Sequence, residues 1–177
     1  ALILAQLARI EINDNWVNKP AHSLEAIFRS WMPQTSANLD QRVNLLKVLI
    51  ERYPDVAWNI CMAQFGNHSQ IGDYSHKPRW RQDGYGFGEP LDNWESINKF
   101  QCEVIEMALS WNPHSLKTLS DLVERLHDLD GIYQAKVWGL IEAWAENEAS
   151  DEDKATLREK VRVSVLSRRA AVRAKVR

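Results

Sequence analysis

The sequence predicts an all-α fold. Apolar residues recur at helical spacing along most of the chain, and the breaks between these runs are short and rich in Pro, Asn and Ser. No convincing strand alternation interrupts them. About seven or eight helices joined by short turns make antiparallel helix pairs, as a short α-solenoid or an irregular helical bundle. No clean internal repeat is visible in the letters, so the solenoid form rests on helix pairing alone. One stretch stands apart: the long loop 66–90 holds Gly66, Gly72, Gly84, Gly86 and Gly88, five of the seven glycines in the chain. Glycine and proline at that density do not continue a helix.

Residues 2–12 read as the first helix, with Ile3, Leu7 and Ile10 on one face and Leu4 beside them. Asn13-Asp14-Asn15 ends it. Ser23 is a suitable N-cap for a short helix from Leu24 to Trp31, and Pro33 stops that helix. Asn38 with Gln41 three residues on has the form of a capping box. The helix behind it carries Leu39, Val43, Leu46, Leu49 and Ile50 on one stripe and ends near Tyr53. Pro54 suits the first turn of the next helix, which turns Val56, Ala57, Ile60, Cys61 and Phe65 inward and closes at Gly66.

Beyond the loop, Trp94, Ile97, Gln101, Val104, Ile105, Ala108 and Leu109 keep a 3.6-residue period until Asn112-Pro113 breaks it. Ser115 caps a helix with Leu116, Leu119, Leu122, Val123, Leu126 and Leu129 as its stripe, and Asp130-Gly131 turns the chain. Ile132 to Ala145 form a further helix bearing Val137, Leu140, Ile141 and Trp144. Ser150 with Asp153 offers a second capping box. The last helix carries Leu157, Val161, Val165, Val172 and Val176, with Arg158, Arg162, Arg168, Arg169 and Arg173 around them.

A chain of 177 residues buries a real core, and 45% hydrophobic with 26% charged residues places it in the globular class. Eight tryptophans supply bulky anchors between helices or on a binding surface. The net charge of −2 hides an asymmetry. Residues 1–150 hold thirteen Lys or Arg against twenty Asp or Glu, and residues 151–177 hold nine against four. The expected organisation is therefore an acidic helical domain over 1–150, with the loop 66–90 inserted, and a basic C-terminal helix over 151–177. An acidic body argues against a nucleic-acid footprint over the whole domain.

Cys61 and Cys102 lie in helical patterns beside apolar residues and form no Cys-x-x-Cys pair, so both are expected as buried free thiols. That suits a reducing, cytoplasmic setting. No apolar run approaches the roughly 20 residues of a membrane helix, and the first residues lack the basic flank and cleavage pattern of a signal peptide. Both ends fall inside helical patterns, which leads us to expect a fragment of a longer polypeptide.

The loop carries the candidate chemistry. His68, Asp73, His76 and Asp83 are residue types that hold a hard metal or act as general bases, the makings of a metal-dependent hydrolase. Their spacing matches no helix-borne His-x-x-x-His motif, and these residue types favour loops for turn geometry alone. No metal site or cofactor is expected. Gly84-x-Gly86-x-Gly88 precedes a helix, where backbone N–H groups can meet a phosphate. It lacks a preceding strand and any Gly-Lys-Ser/Thr, and Glu89 and Asp92 would repel the anion. Lys77-Pro78-Arg79-Trp80-Arg81 sets three cations around an indole, a composition that stacks on a base or packs internally. His22-Ser23 and His68-Ser69 are sequence neighbours, whereas a nucleophile and its base need spatial convergence and a third, orienting group.

One run is more specific. Asn18-Lys19-Pro20-Ala21-His22-Ser23-Leu24-Glu25-Ala26-Ile27-Phe28-Arg29-Ser30-Trp31-Met32-Pro33-Gln34-Thr35 resembles the pattern Asn-x-Pro-x-x-Ser-Leu-x-x-Ile-Phe-x-x-Trp-x-Pro-Gln-Thr. It is followed by a Pro-x-x-Ala/Gly-Trp element, here Pro54 to Trp58, and by a loop ending in Lys77-Pro78-Arg79-Trp80-Arg81, where an arginine is expected in place of Lys77. This succession resembles part of the helical-repeat sensor region of large bacterial STAND-type, AVAST-like antiphage NTPases. It covers about residues 1–81, and the remainder only in helical character. The resemblance implies a non-catalytic protein-binding segment of an antiviral defence protein; no small-molecule substrate is evident, and the lack of a long apolar run leaves no membrane partner expected. The partner is another protein or an adjacent domain of the same chain. The expected contact set is Tyr74, Arg79, Trp80, Arg81, Tyr85 and Phe87. No Walker motif is present, so no ATPase residue is assigned. The alternative is a nucleic-acid-binding helical module using the basic loop and the C-terminal helix.

Overall fold

In the third helical stretch local chemistry fixes the start. The side chain of Asn38 accepts from the Gln41 N–H at 2.9 Å, and that of Gln41 accepts from the Asn38 N–H at 3.0 Å. Two N–H groups that the helix leaves unpaired are thereby satisfied. The computed structural model describes residues 1–10, 19–65, 93–147 and 149–175, with side chains up to residue 164. Over these it is all-α, and no strand occurs among the described residues.

The helices are α1 (Leu2–Ala8), α2 (Pro20–Ile27), α3 (Leu39–Arg52), α4 (Pro54–Ala63), α5 (Trp94–Leu109), α6 (Leu116–Glu124), α7 (Gly131–Asn147) and α8 (Asp151–Lys175). A 3₁₀ turn, Leu126–Asp128, follows α6. The contacts divide the chain after Ala108, whereas the change in charge composition falls at residue 150.

In the first unit, Ala1–Ala108, α1 packs on α2, α3 on α4 and α2 on α4. Leu24, Phe28, Leu46, Leu49 and Cys61 are fully buried, as is Phe100 of α5. Each such large apolar side chain contributes about 1.5–3 kcal/mol by leaving water. Only Tyr53 separates α3 from α4. It is the C-cap of one and the N-cap of the other, and Pro54 opens α4, where its missing N–H costs nothing.

Several expectations change in this unit. Helix α2 starts at Pro20 with Lys19 as N-cap, so Ser23 lies inside the helix and caps nothing at its start. Proline's fixed φ pre-forms the first turn and outcompetes the serine three residues later. The same helix ends at Ile27, well before Trp31 and Pro33. Helix α1 ends at Ala8, and its face of Ile3, Leu7 and Ile10 is exposed, while Ala5 is the residue turned inward. Trp94 opens α5 at 72% exposure, and the buried stripe is Ile97, Phe100, Val104 and Ala108. Cys61 is buried as expected, but Cys102 is exposed, because it sits two residues from both Phe100 and Val104 and so off their stripe. The closure at Gly66 and the loop 66–90 lie outside the described residues.

In the second unit, Leu109–Arg177, α6 packs on both α7 and α8. The Asn112–Pro113 peptide bond is cis. Ser115 caps α6: its Oγ accepts from the Thr118 N–H at 3.3 Å, and Thr118 Oγ1 accepts from the Ser115 N–H at 2.8 Å. Threonine thus fills the place that Glu or Gln takes in the usual box. Leu119, Leu122 and Val123 of α6 meet a core completed by Leu129, Val137, Trp144 and Leu157. Gly131 is the first residue of α7 rather than part of a turn before it. Before α8, Ser150 Oγ accepts from the Asp153 N–H at 3.1 Å and donates to the Asp153 carboxylate at 2.7 Å.

Candidate functional site

The contact set Tyr74, Arg79, Trp80, Arg81, Tyr85 and Phe87 lies outside the described residues, as do His68, Asp73, His76 and Asp83 and the Gly84–Gly88 run. Among the described residues, no group of three or more His, Cys, Asp and Glu is placed to hold a metal ion. His22 and Ser23 are both exposed on α2.

Two features of the first unit were given no functional role from the sequence. The first is Arg42 on α3, only 1% exposed. Its Nη1 donates to the Arg29 carbonyl at 2.7 Å, just past the C-terminal end of α2. Its Cζ lies 4.2 Å from the centroid of the Phe100 ring, a cation–π stack. Its Nε is buried with no hydrogen-bond partner among the described residues. Burial lowers the guanidinium pKa to about 10, which leaves it charged at neutral pH. Around it, Ser30 and Gln34 are buried, Gln101 donates to Ser30 Oγ at 3.5 Å, and Gln34 Nε2 donates to the Met32 carbonyl at 3.3 Å.

A cation placed against a helix C-terminus is favoured by the backbone dipole, and a stacked guanidinium loses less on dehydration than an ammonium would. This group ties α3, α5 and the turn Arg29–Gln34 together. It therefore helps fix the course of the chain between α2 and α3. Its role is positional, with Arg42 and Ser30 each only 1% exposed. A signal for Arg42 exists in the sequence, since it stands four residues before Leu46 and seven before Leu49, on the core stripe.

The second feature is the exposed apolar set. On α1, Ile3 is 75% exposed, Ile10 just beyond its end 60% and Leu7 41%. They recur at steps of four and three, so they form one stripe. Scattered apolar side chains on a surface are ordinary, whereas these three share one side of the helix.

Among the described residues no helix is long and apolar enough to cross a membrane. No family model, no curated protein and no solved structure matches the chain.

Proposed function

We propose that this chain is a non-catalytic protein-binding module, a sensor or scaffold segment of a larger bacterial antiviral protein that works in the cytoplasm. The observation that carries the protein-binding reading is the exposed stripe of Ile3, Leu7 and Ile10. An amphipathic helix that keeps its apolar face in water is the form used by helix-in-groove and helix-stacking contacts. The antiviral assignment rests on the resemblance of residues 18–35, 54–58 and 77–81 alone. Arg79, Trp80 and Arg81 belong to the same reading as a second contact, of the residue types that dominate interface energetics.

The test uses the full reading frame that contains this chain, expressed in bacteria and challenged with phage. Ile3→Asp with Leu7→Asp should lower partner affinity on the order of tenfold or more, equivalent to at least about 1.4 kcal/mol, and protection should fall with it. Helix content of the isolated chain should stay unchanged, because these side chains leave no core position. Arg79→Ala with Arg81→Ala tests the second contact in the same assay. Full protection in both double variants overturns the proposal, as does a reading frame with no nucleotide-binding motif outside this chain.

A further inference from the structure

Arg42 is a buried cation, and among the described residues no carboxylate lies within ion-pair distance of it. Its guanidinium stays charged at neutral pH. The Arg29 carbonyl and the face of the Phe100 ring each present it with a partial negative charge. Partial charges offset only part of what dehydrating an ion costs.

The groups around it add donors. Arg42 Nε is buried and bonds to no acceptor among the described residues. The Arg29 carbonyl already accepts from Nη1 at 2.7 Å, and the Met32 carbonyl from Gln34 Nε2 at 3.3 Å. Ser30, the residue after Arg29, is buried too. Its Oγ accepts from Gln101 Nε2 at 3.5 Å, which leaves its own O–H to donate. Arg42 and Ser30 thus bring one positive charge and two further donors to the turn that joins α2 to α3.

We propose that a chloride ion binds here as the counter-ion of Arg42, held by the Arg42 Nε–H and the Ser30 O–H. The chemistry of the donors selects this ligand. Water accepts two bonds but brings two O–H groups that need acceptors of their own, and it carries no charge. An organic carboxylate or phosphate has to enter from outside, and Arg42 and Ser30, each 1% exposed, offer it almost no surface. A monatomic anion only accepts, neutralises the guanidinium, and is small enough to be enclosed as the first unit folds. Binding is therefore coupled to the folding of that unit, which gains stability as the chloride concentration rises.

The test is amide hydrogen exchange of the 177-residue chain at about 5 mM and about 500 mM sodium chloride, with sodium gluconate holding the ionic strength constant. For a Kd of about 50 mM, one plus the ratio of chloride concentration to Kd grows about tenfold over this range. Amides of α3 and α4 that exchange through unfolding should therefore slow about tenfold. Arg42→Met should abolish this chloride dependence, and Ser30→Ala should weaken it. In a crystal soaked with bromide, anomalous scattering should place an ion within hydrogen-bond reach of Arg42 Nε. Equal exchange in chloride and gluconate overturns the proposal, and is the result that a water molecule or a carboxylate of this chain beside Nε would give. Chloride dependence that persists in Arg42→Met overturns it as well, as does bromide found only as an adventitious ion elsewhere. If Arg42→Met does not fold, Ser30→Ala decides: a chloride dependence equal to the parent's removes the site.

Discussion

Arg42 and Cys61 show how burial acts on single groups in the first unit. Arg42 combines two effects that substitution separates. Arg42→Ala removes the bond to the Arg29 carbonyl and the stack on Phe100 and leaves a void, and should cost about 3 kcal/mol or more. Arg42→Met refills the volume and removes a dehydrated cation, leaving only the carbonyl unpaired, and should cost less than about 1.5 kcal/mol. Urea unfolding of the two variants checks the order, and equal losses would show that the hydrogen bond alone matters. Cys61 is fully buried, and burial pushes its thiol up to about 12 from an ordinary value near 9. The folded state thus holds this proton more tightly than the unfolded state. The sign follows: this stabilisation is complete below about pH 9 and is lost as pH rises toward 12. Cys61→Ala should flatten the fall in stability over that window. A thiol reagent at neutral pH should titrate Cys102 at once and Cys61 only after unfolding, since one is exposed and the other buried.

Helix starts are where local chemistry acts most directly. Asn38 and Ser115 each satisfy the free N–H of the third helical residue, so Asn38→Ala and Ser115→Ala should each cost about 1 kcal/mol. Ser23→Ala should be neutral or slightly stabilising, because Ser23 lies exposed inside α2 and alanine is the better helix former. Thermal melts of the three variants test the assignment, and a loss at Ser23 equal to that at Asn38 would move the start of α2. These helices also show what the letters disclosed. Asn38 with Gln41, Pro54, and Ser115 each carry a local signal, and each element begins where that signal stands. Ser23 misled because Pro20 offered a stronger start three residues earlier. Periodicity located the stripes of α3 and α6, but it could not say which side of α1 would meet a neighbour, since that depends on tertiary packing. Arg42 escaped notice because its charge argues for the surface, although its register argues for the core. The loop that holds the proposed contact residues had no periodic signal to fix its course.

The division into two units sets how a local injury spreads. Leu122→Ala removes a fully buried side chain of α6 and should cost about 2–5 kcal/mol. Hydrogen exchange should then quicken through α6, α7 and the first half of α8, while amides of α3 and α4 keep their protection. Uniform acceleration in both units would mean that they open as a single cooperative body.

The open stripe of α1 has a colloidal consequence. The chain carries a net charge of only −2 at neutral pH and reaches neutrality near pH 6.2. Little electrostatic repulsion then opposes contact between apolar patches on separate molecules. The second osmotic virial coefficient, measured by static light scattering, should therefore turn negative near pH 6.2 and rise again on either side. Ile3→Asp with Leu7→Asp should make it positive at neutral pH, by removing apolar surface and adding two negative charges. An unchanged coefficient would mean that molecules in concentrated solution do not meet through α1.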